Sequence, residues 1–121
     1  MSDKATPARR NTFKSPKPDP IRLLVFDILQ EVNQRGGYSN LLLPSALTDS
    51  KFEQRDKGFA TELLYGTLRM QGRHDYIAAQ ISDRPWSEVD NGIVDVIRLG
   101  AHQLFEMRVA THAAVSETVE L

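Results

Sequence analysis

Ile21, Leu24, Val25, Ile28, Leu29 and Val32 recur in steps of three and one, the spacing that lines one face of an α-helix. Asp19 offers an N-cap carboxylate, Pro20 suits the first helical position, and Gly36-Gly37 supplies a stop. The next apolar group, Leu41, Leu42, Leu43 and Leu47 in "YSNLLLPSALTD", is interrupted by Pro44 and predicts only a short helical turn over the core. Ser50 and Glu53 have the spacing of a capping box, which predicts a long helix from about Lys51 to Met70, closed by Gly72. A third, shorter helix follows from His74 to Ser82 on Ile77, Ala78 and Ile81.

"DRPW" reads as a loop with Trp86 folded back on the body. Ser87 and Asp90 resemble another cap, before a helix to about Met107 whose apolar stripe is Val89, Ile93, Val96, Ile97, Gly100 and Leu104. Thr111 can cap a last helix carrying Ala114, Val115, Thr118 and Val119. No stretch alternates with period two and no tight turn separates strand-like runs, so the pattern predicts an all-α bundle of five or six helices. Gly66 lies two turns after Phe59 on the same face, where it costs roughly 1 kcal/mol relative to alanine. That cost is tolerable if another helix crosses closely there, with Gly100 as the matching small residue.

Composition narrows the function. The 121 residues suffice for one core, and no apolar run approaches the roughly 18 residues of a membrane span. The polar N-terminus lacks the apolar stretch of a secretory signal, which fits a cytoplasmic location. With no cysteine there is no disulfide, thiolate metal site or cysteine nucleophile. The net charge of −1 is unevenly spread: residues 1–20 carry five cations and two carboxylates, the rest ten cations and fourteen carboxylates. Residues 1–18, with Pro7, Pro16 and Pro18, read as a disordered basic arm, either a nucleic-acid contact or a solubilising tail.

The titratable residues give no catalytic constellation. His74-Asp75 lacks a nucleophile or metal, and His74, His102 and His112 lack the H-E-x-x-H spacing, so they read as ordinary core or surface histidines. Arg55, Asp56, Asp75 and Arg98 are candidates for ion pairs that tie helices together. Lys14, Lys17, Arg22, Arg69 and Arg73 are candidates for phosphate contacts with RNA, Arg69 and Arg73 being open between the two roles.

"FEQRDKGFATELLYGTLR" followed by "HDYI", "VIRLGAHQLFEM" and "THAAVSETVEL" closely resembles the N-terminal NusB-like domain of the RsmB/Sun family of bacterial 16S rRNA cytosine-5 methyltransferases. The resemblance runs from about Pro20 to Leu121. It implies a helical RNA-binding domain over residues 19–121, which helps place 16S rRNA before a C-terminal methyltransferase domain that uses S-adenosylmethionine and cysteine. Neither a βαβ unit nor a cysteine occurs in these 121 residues, so no catalysis and no cofactor are expected of this chain alone. The resemblance also implies that the helix begun at Thr111 continues, so that the NusB-like bundle is truncated here and lacks its last helix or two. "HAAVSETVEL" stops mid-pattern, so Val115, Val119 and Leu121 are expected to lack partners and to favour weak self-association. The alternatives are a protein-interaction module of the antitermination type and a purely structural domain.

Overall fold

The structure is a computed structural model that describes residues 18–121. Lys14, Lys17 and the rest of the expected arm up to residue 17 lie outside the described residues. The described chain is helical throughout: α1 Pro20–Arg35, α2 Ser39–Asp49, α3 Gln54–Ile81, a 3-10 turn Trp86–Glu88, α4 Asn91–Phe105 and α5 Thr111–Val119. No strand occurs among the described residues.

The first helix forms as its pattern dictates. The Asp19 carboxylate accepts the Arg22 backbone N–H at 3.1 Å, and Gly36 ends the helix at φ 72°, a conformation that costs glycine little. Val25, Ile28 and Leu29 are buried against Leu43 of α2, Ala60, Leu63 and Leu64 of α3, and Leu99 of α4. This cluster is the core, and α3 and α4 pack along one another beside it.

Three local expectations are corrected. The "YSNLLLPSALTD" stretch is a full helix of 11 residues, with Pro44 inside it. Pro44 and Asn40 are both exposed, so the carbonyl that Pro44 leaves without an N–H faces water. The expected second and third helices are a single one of 28 residues, about 42 Å long. Gly72 does not close it, because His74, Asp75, Ile77 and Ala78 beyond it find partners or burial that outweigh the helix cost of one exposed glycine. The capping box does not form. Ser50 Oγ donates to the Leu47 carbonyl at 2.8 Å and so closes α2, while α3 begins after Glu53 without a side-chain cap.

The fourth helix departs most from expectation. Asp90 caps it, accepting the Gly92 N–H at 3.0 Å. Its buried face is Val94, Asp95, Leu99, His102 and Gln103, while Ile93 and Ile97 of the expected stripe are exposed. Three polar side chains are turned inward because each finds partners. Gln30 and Asn33 of α1 donate to Asp95, and Gln103 accepts from Arg22 and donates to Thr118 Oγ1. The apolar residues left outside open a groove of about 510 Å³ between Phe26, Ile93, Val96, Ile97, Val119 and Leu121. Thr111 opens α5 without capping it; the N-cap position falls on Ala110.

Candidate functional site

The α3–α4 crossing is built around Gly66. A Cβ there would overlap His102 Nε2 and come within 2.7 Å of Cε1 and 2.8 Å of Glu62 Oε2. Gly66 thus makes room for a ring, not for a second glycine. Gly100, its expected counterpart, faces Thr118 of α5 at an ordinary 3.7 Å. In the space so made, His102 Nδ1 lies 3.2 Å from His74 Nε2, and the two buried rings meet edge to face with centroids 5.4 Å apart. Burial holds both imidazoles below their ordinary pKa; for His102 the Glu62 carboxylate opposes this, and for His74 the neighbouring His102 adds to it. His74 Nδ1 and His102 Nε2 are both buried with no formed hydrogen bond among the described residues.

Two arginines stand on the outer side of this pair. Arg69 and Arg73, one helical turn apart on α3, are 63% and 60% exposed. Arg69 Nη2 is 3.8 Å from Glu62 Oε2, and Arg73 Nη1 is 3.2 Å from Glu106 Oε2 at the end of α4. Exposed pairs of this kind contribute about 0–1 kcal/mol, so a stronger anion can replace either carboxylate. Glu62 Oε2 also lies 3.5 Å from His102 Nε2, at the edge of hydrogen-bond reach.

The other sequence candidates fall elsewhere. Arg22 is engaged within the fold. Its Nη1 pairs with Asp19 at 3.0 Å, its Nε donates to Gln103 at 2.7 Å, and its guanidinium lies 4.9 Å over the Phe59 ring. These contacts bind α1 to α3 and α4, and leave the side chain 12% exposed. Arg98 grips Asp75 through Nε at 2.7 Å and Nη2 at 2.6 Å, and reaches Asp95 through Nη1 at 2.8 Å. The bidentate Asp75 contact holds this guanidinium all the more firmly in its charged form. Arg55 and Asp56 do not join that network. Neither makes an ion pair among the described residues, and both line a cleft of about 350 Å³ with Arg22 and Phe59. Lys14 and Lys17 lie outside the described residues.

Sequence reasoning missed the His74–His102 contact, Glu62 and Glu106. Gly66 was the only available signal, since a glycine on a core-facing helical position announces a close neighbour without naming it.

Among known proteins the chain is similar to one of Mycobacterium tuberculosis named as a candidate methyltransferase, 42% identical over 115 residues, which is 95% of this chain and 25% of that protein. It is also similar to ribosomal RNA small subunit methyltransferase B of Pseudomonas putida, 39% identical over 80 residues (66% of this chain, 18% of that protein), and of Vibrio vulnificus, 34% identical over 100 residues (83% and 23%). The chain thus spans about a quarter or less of these relatives, matching their N-terminal part. No solved structure matches it. The NusB family pattern, in turn, matches residues 19–121, all five helices, and on that match the chain belongs to the NusB family.

Proposed function

We propose that this chain is the RNA-binding N-terminal domain of a bacterial 16S rRNA (cytosine-5) methyltransferase, working in the cytoplasm to position rRNA for a separate catalytic domain. The observation that carries the reading is its similarity, over most of its length, to the N-terminal part of proteins named rRNA small subunit methyltransferase B. Arg69 and Arg73 support it, since two exposed guanidiniums a helical turn apart suit neighbouring phosphates. The basic residues of the first 18 positions would add contacts, while Arg22 serves the fold. Methyl transfer and S-adenosylmethionine belong, in this reading, to the catalytic domain, and this chain alone transfers no methyl group. An electrophoretic shift with a 16S rRNA hairpin tests it, run with the whole chain, without residues 1–18, and with Arg69→Ala/Arg73→Ala. Binding weakened by both changes supports the reading, and no shift at moderate salt overturns it.

A second reading, a protein-interaction module, is favoured by the open apolar groove between Phe26 and Ile93, Val96, Ile97, Val119 and Leu121. Its occupant there would be the methyltransferase domain of the same polypeptide.

A further inference from the structure

Glu62 Oε2 stands between two nitrogen partners. On its buried side it lies 3.5 Å from His102 Nε2, on its exposed side 3.8 Å from Arg69 Nη2. The Arg69 cation opposes the pull of the Glu62 carboxylate on a His102 proton, so whatever neutralises or withdraws Arg69 leaves the charge of Glu62 to act on His102. At the other end of the pair Glu106 is held by Arg73 at 3.2 Å, and its charge reaches both imidazoles. We infer that binding of a polyanion at Arg69 and Arg73 is coupled to proton uptake by the buried His74–His102 pair, with Glu62 as the shared carboxylate. The inference rests on the reading of Arg69 and Arg73 as phosphate contacts.

In the free protein Arg69 and Arg73 compensate Glu62 and Glu106, and the pair stays neutral with two N–H groups. One bridges Nε2 of His74 and Nδ1 of His102; the arrangement with the second on His102 Nε2, toward Glu62, leaves only a lone pair at the unpartnered His74 Nδ1. A phosphate that takes the guanidiniums leaves two carboxylates facing the imidazoles uncompensated, which favours the protonated form. The proton comes from solvent. His102 then donates from both ring nitrogens, to Glu62 and to His74 Nε2, and the third N–H sits on His74 Nδ1. That last group has no partner, which opposes uptake until the carboxylates are released. The charged groups acting on the pair are Glu62, Arg69, Arg73 and Asp75 of α3 and Glu106 at the end of α4. Gly66 is what lets Glu62 and His102 share this space.

Two measurements test the coupling. The first needs no RNA: the imidazole Cε1–H resonances of His74 and His102 are followed by NMR against pH in the wild-type chain, in Arg69→Ala and in Glu62→Gln. Glu62 is half exposed, so neither substitution threatens the fold. The His102 titration should move to higher pH in Arg69→Ala and to lower pH in Glu62→Gln; no movement in either overturns the inference. The second is fluorescence anisotropy with a single-stranded oligouridylate between about pH 8 and pH 6, in a His112→Gln background that silences the exposed histidine. Affinity should rise about two- to fivefold on acidification, the range of couplings between exposed charges, and Glu62→Gln should remove that rise. An equal rise in Glu62→Gln overturns the coupling while leaving the RNA reading intact. If Arg69→Ala/Arg73→Ala leaves oligouridylate binding unchanged, the RNA reading of these residues falls, and the coupling with it.

Discussion

Arg98 and Arg73 each reach from one long helix to a carboxylate carried by the other, Arg98 from α4 to Asp75 of α3 and Arg73 from α3 to Glu106 at the end of α4. Arg98 is 14% exposed, bidentate to Asp75, and shared with Asp95, which is wholly buried and also accepts from Gln30 and Asn33. Arg73 is 60% exposed and makes one contact at 3.2 Å. The same residue types on the same helix pair therefore serve opposite ends. Where every donor and acceptor is satisfied out of water the arginine fixes the crossing, and where water competes it stays available to another anion.

The sharpest way to break this comparison is to remove Arg98. Arg98→Ala leaves the carboxylate of Asp95 buried with its charge uncompensated, and should cost about 3–5 kcal/mol of stability. Urea unfolding followed by circular dichroism measures it. A loss under about 1 kcal/mol would mean that water reaches Asp95 and that the two arginines do not differ in kind.

Gly66→Ala should come next. The new Cβ meets a ring that is fully enclosed, so the strain falls on the helix crossing rather than on a movable side chain. Overpacking of this kind costs about 1–3 kcal/mol, and the roughly 1 kcal/mol of helix propensity that alanine returns offsets only part of it. A melting temperature equal to or above wild type would show that His102 can move aside.

Acidification should weaken the same crossing. Burial holds His74 and His102 below the value near 6.5 that they regain on unfolding, so the unfolded chain binds more protons. The stability that depends on their neutrality is complete above about pH 6.5 and is lost as pH falls from there toward their lowered folded pKa values. Urea midpoints between about pH 7 and pH 5.5 should therefore fall, and fall less in His102→Gln. A flat profile in the wild type would place both rings in contact with water.

These three effects also mark where the sequence was legible. The all-α class, α1 with its Asp19 cap and Gly36 stop, and the α5 region follow from apolar spacing and end signals. The joining of the two expected central helices does not, since Gly72 is a stop only if nothing beyond it packs. The face of α4 was misread for a related reason. Periodicity counts Ile93 and Ile97 as inside and Asp95, His102 and Gln103 as outside, whereas a buried polar group with partners carries no penalty. Those partners sit 15 to 81 residues away in sequence, beyond any local pattern. The candidate site was half legible: Arg69 and Arg73 stand out as cations after a core-facing run, but the imidazoles and carboxylates behind them are joined only by the fold.

The smallest effect on stability, and the one most telling for function, belongs to Arg69 and Arg73 themselves. Each alanine substitution should change stability by no more than about 0.5 kcal/mol, because the exposed pairs with Glu62 and Glu106 contribute little and the carboxylates left behind remain within reach of water. On the proposed function, RNA binding should respond more. Each phosphate neutralised on a single strand releases counterions, so log affinity falls with log salt by about 0.7 per contact. Losing both arginines should flatten the slope by about 1.4 and weaken binding whatever the base sequence. Fluorescence anisotropy of the double variant on a single-stranded oligonucleotide, over a series of salt concentrations, gives both quantities. Stability loss comparable to that of Arg98→Ala, with the salt slope unmoved, would invert the comparison: Arg69 and Arg73 would then be holding the fold, and phosphate contacts would have to come from other cations of the chain.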